Sequence, residues 1–131
     1  DVRAVPETTL ISAFCEKYPL GSTERVVVVD VNNRYAGIVV VSDAHNANSD
    51  TSPDQPKTLS GLLQMQDWML LPTTNAQEAA SVFEKAGSEE LAVVDNLERR
   101  RVVGLLTEAY LLRRYAEELD KGWRDLTGET S

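Results

Sequence analysis

The sequence contains few of the residues that build disulfides, metal clusters and catalytic centres. Its 131 residues include one cysteine, Cys15, and one histidine, His45. A single cysteine excludes an intrachain disulfide and a metal cluster built on cysteines, and is compatible with a reducing compartment. Cys15 has no histidine near it in sequence that could activate it, and no glycine-rich phosphate loop precedes a helical segment. The composition therefore argues against an independent enzyme.

Long apolar runs and excess positive charge are also absent. The apolar run 38–41 stops at Ser42 and Asp43, far short of the roughly 20 residues that a membrane helix needs. Thirteen Lys and Arg against 21 Asp and Glu give a net charge of −8, which opposes binding to nucleic acid or to anionic lipid. The first residue is Asp1 and no signal peptide is recognisable, so we expect the chain to be part of a longer protein.

An internal repeat sets the organisation of the chain. Residues 26–44 read VVVVDVNNRYAGIVVVSDA, and residues 91–109 read LAVVDNLERRRVVGLLTEA. In both, a β-rich apolar run ends in Asp, a polar turn follows, and a second apolar run starts at Gly37 or Gly104. Each stretch is typical of two short buried strands joined by a turn. The repeat predicts the same hairpin twice.

The segments before each hairpin also match. Pro6 and Pro72 each end a short apolar segment, which predicts a strand followed by a break. Next come threonine and asparagine residues of the kind that cap helices: Thr8, Thr9, Thr74 and Asn75. Apolar residues at helical spacing then predict a helix in each copy. The stripe of the first copy is Leu10, Ala13, Phe14 and Lys17, and that of the second is Ala76, Ala79, Ala80 and Phe83.

These segments predict a mixed α/β (α+β) fold of two pseudo-symmetric β-α-β-β-α repeats. A unit of about 45 to 55 residues buries too little surface to be stable alone, so the repeats should pack through their sheets. The second repeat should end in a helix at 111–119, with Leu111, Leu112, Tyr115 and Leu119 on its apolar face. We expect these boundaries: first repeat 1–45, flexible linker 46–57, second repeat 58–120 with a leader helix near 59–63, and tail 121–131.

The order of Pro, capped helix, apolar strand ending in Val-Val-Asp, turn and Gly-apolar-apolar-Thr resembles the cystathionine β-synthase (CBS) domain, which occurs in tandem pairs called Bateman modules. Residues 91–120 and 19–30 (PLGSTERVVVVD) are similar to the C-terminal CBS domains of bacterial CLC chloride channels and transporters. The resemblance implies a homodimeric regulatory module on the cytoplasmic face of a membrane. Its partner would be the membrane-embedded transport domain of the same parent chain.

The resemblance also implies adenine-nucleotide clefts at the motif Gly-apolar-apolar-Thr/Ser-x-x-Asp. Residues 37–43 retain Asp43 but have Val40 in place of the hydroxyl, whereas 104–110 retain Thr107 but have Tyr110 in place of the aspartate. Losing a hydrogen bond with a charged partner costs about 1.5–3 kcal/mol, or roughly tenfold to hundredfold in affinity, so ATP, ADP or AMP should bind weakly. The candidate nucleotide-binding residues are Val5, Val40, Ser42, Asp43, Leu71, Thr107 and Tyr110.

Several alternatives stay open from the sequence. Asp43 and Thr107 each stand at a strand-to-helix junction and could simply cap the following helix. The basic run 99–101 could hold phosphate or form a solvated turn, and Trp123 could contact a partner chain. At the level of function, the alternatives are a dimerisation scaffold that binds no small molecule, and a nucleotide sensor attached to another transporter or enzyme.

Overall fold

The computed structural model describes residues 4–21 and 23–127. The first repeat contains the following elements: β1 (Ala4–Pro6), α1 (Ile11–Lys17), β2 (Arg25–Val29), β3 (Tyr35–Val40) and α2 (Val41–Ser49). The second repeat contains α3 (Ala76–Ala86), β4 (Glu90–Val94), β5 (Val102–Thr107) and α4 (Glu108–Thr127). A 3₁₀ turn at Leu59–Gly61 lies between the repeats. The predicted α/β fold is confirmed.

The two hairpins form the centres of two small sheets. In the first, β2 pairs antiparallel with β3 and parallel with β1; in the second, β4 pairs antiparallel with β5. The strand expected before Pro72 is reduced to one parallel bridge between Leu70 and Val93. It ends there because the Leu71 amide donates to the Thr74 hydroxyl (3.1 Å), which turns the chain away from the sheet.

The two sheets pack against each other and share a core. The buried residues of this central cluster come from both repeats: Val27, Tyr35, Ile38, Ala92 and Val94. Helices α1 and α2 cover the outer face of the first sheet around Phe14 and Val39, and helices α3 and α4 cover the second around Phe83 and Leu91. The expected packing of the repeats through their sheets is therefore confirmed.

Hydrogen bonds join the repeats at the hairpin turns. The amide of Tyr35 donates to the carbonyl of Arg100 (2.7 Å), and the guanidinium of Arg34 donates to the carbonyl of Glu98 (2.9 Å). The buried Tyr35 hydroxyl donates to the carbonyl of Met65 (2.6 Å) in the segment that connects the repeats. These bonds fix the relative position of the two sheets.

The two leading helices differ in how well the sequence predicted them. Asn75 caps α3 by accepting a hydrogen bond from the Glu78 amide (2.8 Å), as expected. In contrast, Leu10 is the N-cap of α1 and makes no side-chain cap bond, so the predicted caps Thr8 and Thr9 are wrong. The buried face of α1 is shifted by one position from the predicted stripe, and Leu10 is 54% exposed. The buried face consists of Ile11, Phe14 and Cys15.

Three predicted boundaries also change. Helix α2 continues to Ser49, so residues 46–49 of the expected linker are helical, and Ala47 packs against the first core. The leader helix is only the 3₁₀ turn Leu59–Gly61. Helix α4 continues through 121–127 of the expected tail because no proline interrupts it. Residues 128–131 and the side chain of Trp123 lie outside the described part.

Helix α4 buries less of its predicted apolar face than expected. Leu111 is buried, whereas Leu112, Tyr115 and Leu119 are 56%, 38% and 57% exposed. The reason is that α4 packs against α3 along one side only, and Leu111 is its buried residue in that core cluster. Among the described residues, no helix has the length and apolar character needed to cross a membrane.

Candidate ligand sites at the strand–helix junctions

The two repeats build the same junction between the hairpin and the following helix. In the first repeat, the Val41 amide at the start of α2 donates to the carbonyl of Glu24 (2.8 Å). In the second, the Glu108 amide at the start of α4 donates to the carbonyl of Glu89 (2.8 Å). Each bond ties a helix N-terminus to the residue that precedes the first strand of its hairpin. The two junctions are therefore structurally equivalent.

A cavity lies at each junction. The first, of about 270 Å³, is lined by Leu20, Gly21, Thr23, Glu24, Val41 and Ser42. The second, of about 460 Å³, is lined by Glu89, Glu90, Thr107, Glu108, Ala109 and Leu112. The structure thus brings two of the predicted site residues, Ser42 and Thr107, to equivalent cavities. Cavities of this size can hold part of a small molecule.

At the first junction, Asp43 lies inside the first turn of α2. The N-cap is Val40, which has extended backbone geometry and no side-chain cap, so the interpretation of Asp43 as the cap is wrong. One carboxylate oxygen of Asp43 instead accepts a hydrogen bond from the side-chain amide of Gln64 (3.0 Å). The partly buried carboxylate therefore does not close the helix end, and it lies next to Ser42 without itself lining the first cavity.

At the second junction, the side chain of Thr107 is used internally. Its hydroxyl accepts a hydrogen bond from the Tyr110 amide (3.1 Å), and this confirms the interpretation of Thr107 as a cap. The side chain of Tyr110 is 48% exposed and is not among the residues that line the cavity. With the Glu108 and Tyr110 amides both occupied, this helix end has fewer donors left for an anion.

The charges around the junctions are mostly negative. Arg25, whose side chain is 17% exposed, lies between carboxylates of both repeats, at 3.5 Å from Glu24, 3.6 Å from Glu90 and 3.9 Å from Glu89. One guanidinium therefore faces three carboxylates. Glu108 adds a further negative charge to the second cavity. The second cavity is consequently a poor site for phosphate groups.

The other residues expected at the sites lie elsewhere. Val5 is 8% exposed and packs in the core between the first sheet and its helices, and Leu71 packs against the core between the sheets. The basic run 99–101 lies at the opposite end of the hairpin from Thr107, because Thr107 pairs with Glu90 and Val102 pairs with Val94. That separation is roughly 13–16 Å along the strands, so the run cannot hold a phosphate at this junction.

Gln64 and Arg25 are site residues that the sequence did not predict. Gln64 lies outside the repeated motif, and its contact with Asp43 spans 21 positions. Arg25 belongs to a strand of four valines, where its only visible feature is one charge before an apolar run. No spacing in the sequence signals either contact, because both depend on how the two repeats pack.

No protein-family model matches the sequence, and no curated protein is significantly similar to it. Solved structures do match its fold. A CBS domain pair/ACT domain protein from Thermotoga maritima superimposes with a TM-score of 0.68 at 20% identity, covering 91% of this chain and 92% of that one. CBSX2, in complex with AMP, gives a TM-score of 0.68 at 20% identity over 88% of both chains.

A third match is to a membrane transport protein. The CBS domain of a bacterial CNNM/CorC family Mg²⁺ transporter gives a TM-score of 0.68 at 14% identity, covering 86% of this chain and 66% of that one. These matches agree with the two packed repeats described above. The chain therefore has the fold of a tandem CBS domain pair.

Proposed function

We propose that this CBS pair is a regulatory module of a membrane transport protein and binds adenine nucleotides weakly at its first junction. The difference between the two junctions carries the proposal. The first offers the Asp43 carboxylate beside a helix end with no side-chain cap. The second has a tyrosine at the equivalent position, a helix end closed by Thr107, and three glutamates in its cavity. A ribose would find a carboxylate at the first junction only, and no described side chain there competes with an anion for the helix amides.

The parent protein is proposed to be a CLC-type chloride channel or transporter, with the module on the cytoplasmic face of the membrane. The similarity of residues 91–120 to the CBS domains of bacterial CLC proteins supports this assignment. The fold shared with a CNNM/CorC Mg²⁺ transporter supports attachment to a transport protein in general. We propose no catalytic activity of its own, since Cys15 is buried and His45 binds the carbonyl of Tyr18.

A homodimer is part of the proposal. Leu112, Tyr115 and Leu119 recur at helical spacing on α4 and are all exposed, so α4 presents an apolar stripe. A second copy could cover this stripe, and the same surface supports the rival proposal of a scaffold that binds no small molecule. Sedimentation of the wild type and of Leu112→Asp tests this surface. A dimer that dissociates only in the variant supports the proposed homodimer. A wild type that is monomeric at micromolar concentration contradicts it.

Nucleotide binding is tested by isothermal titration with AMP, ADP and ATP. We expect dissociation constants of tens to hundreds of micromolar for the wild type. Asp43→Ala should weaken binding by roughly tenfold to hundredfold, because a carboxylate that accepts ribose hydroxyls is lost. The matched control is Asp54→Ala, which removes the same charge from an exposed position between the repeats.

Thr107→Val separates the two junctions. It should leave nucleotide affinity unchanged if the first junction is the site. An effect of Thr107→Val with no effect of Asp43→Ala would assign binding to the second junction and overturn our choice. No binding of any of the three nucleotides, with a stable dimer, would favour the scaffold.

A further inference from the structure

The segment between the repeats lies directly on the first junction. The Gln64 amide donates to the carbonyl of Ile38 (2.9 Å), and the Ile38 amide donates to the carbonyl of Gln64 (2.8 Å). Gln64 is thus held against β3 by a reciprocal pair of backbone bonds. From this position its side-chain amide reaches the Asp43 carboxylate at 3.0 Å.

The approach of this segment depends on Gly37. A Cβ atom at residue 37 would lie 2.8 Å from the carbonyl oxygen of Gln64, so only glycine lets the two backbones come this close. Met65, the next residue, has a positive φ of 58° and its carbonyl accepts the Tyr35 hydroxyl at 2.6 Å. The backbone at Gln64 and Met65 is therefore fixed, so the Gln64 side chain starts from a defined position when it binds Asp43.

The second repeat shows no such arrangement in the part of the chain that the structure describes. A Cβ at Gly104 would meet only side-chain atoms of Val93, at 3.6 and 3.8 Å. Tyr110 takes the place of the carboxylate there. The contact between Gln64 and Asp43 is thus a feature of the first junction.

We propose that Gln64 sets the ligand affinity of the first junction by competing with the ribose for Asp43. The inference rests on the proposed nucleotide site and identifies a residue that limits it. A cis-diol that binds both carboxylate oxygens of Asp43 meets one oxygen that already accepts from the Gln64 amide, and the backbone holds that amide in place. The proposed weak binding then has a second cause besides the missing hydroxyl at Val40.

Titration of four proteins with AMP tests the competition: wild type, Gln64→Ala, Asp43→Ala and the double variant. Gln64→Ala should bind AMP about 2- to 10-fold more tightly, the range expected for removing one exposed competing hydrogen bond. The gain in affinity from Gln64→Ala should be smaller for 2′-deoxy-AMP, which lacks one hydroxyl of the diol. It should vanish when Asp43 is replaced. Gln77→Ala, on the exposed side of α3, is the control and should not change affinity.

The same four proteins, unfolded in urea without nucleotide, test the contact itself. The effects of Gln64→Ala and Asp43→Ala on the unfolding midpoint should be non-additive. Additive effects would overturn the inference whatever the nucleotide result. If the wild type binds AMP and Gln64→Ala binds it equally well or more weakly, the inference is also overturned. If the effects are non-additive but neither wild type nor Gln64→Ala binds any nucleotide, the proposed function fails, and the competitive role of Gln64 fails with it.

Discussion

Replacing Ile38 by alanine tests whether the two repeats form one cooperative unit. The side chain is 1% exposed and lies in the core cluster that both sheets share, with Tyr35 on its own sheet and Ala92 on the other. Replacing a buried isoleucine by alanine costs about 2–5 kcal/mol, because transfer energy is lost and a cavity remains. Domains of this size are stable by on the order of 5–15 kcal/mol. The substitution therefore removes a large part of the free energy of unfolding.

Urea unfolding, followed by far-UV circular dichroism and by tryptophan fluorescence, measures the effect. With a slope near 2 kcal/mol per molar urea, the midpoint should fall by about 1–2.5 M, and both signals should shift together. Trp68 packs against the core of the second repeat, so its fluorescence reports on the repeat that was not changed. Val103→Ala, a substitution at a half-exposed position on β5, should shift the midpoint little. Two separate transitions, or a fluorescence midpoint unaffected by Ile38→Ala, would refute a shared core.

Two further predictions concern local structure. Asn75→Ala should lower the free energy of unfolding by about 0.5–2 kcal/mol, because α3 loses its N-cap. The control Gln77→Ala, two positions later, should not lower it. Equal effects of the two substitutions would contradict the role of Asn75 as a cap. Hydrogen bonds from the Ser52 amide and from Gln55 hold the pKa of Asp50 below its ordinary value of 3.8. A lowered folded-state pKa stabilises the fold above the ordinary pKa, and this stabilisation disappears as pH falls through the folded value. The difference in urea midpoint between wild type and Asp50→Asn should therefore be present at pH 6 and shrink below about pH 4; a constant difference would contradict it.

The sequence predicted the repeated hairpins well because their signals are local. Runs such as 26–29 and 91–94 are short, apolar and rich in β-branched residues, and both form largely buried strands. Asn75 was predicted as a cap for the same reason, since a cap bond reaches only three residues along the chain. Where local signals competed, the prediction was wrong: Thr8 and Thr9 are good cap residues, but the helix they were expected to cap starts after Leu10.

The candidate site was predicted only in part, because its chemistry depends on contacts between distant segments. Asp43 and Thr107 both stand at strand-to-helix junctions, and both could be read as caps. The structure separates them: Thr107 bonds to a neighbour three residues away, while Asp43 bonds to Gln64 across the connection between repeats. The Gln64 contact requires the close approach at Gly37, which the sequence presents only as one glycine of a motif.

The two junctions share a backbone arrangement but differ in their side chains. Both retain the bond from the first helical amide to the carbonyl of a glutamate, Glu24 or Glu89, so the backbone geometry is preserved. The second junction has Tyr110 in place of the carboxylate, a helix end closed by Thr107, and three glutamates around its cavity. Arg25 binds glutamates of both repeats at this point, so movement of one junction would disturb ion pairs of the other. If the proposed nucleotide site lies at the first junction, these shared ion pairs would let a bound ligand alter the packing of the second repeat. Such a ligand acts only through its difference in affinity between the two packings.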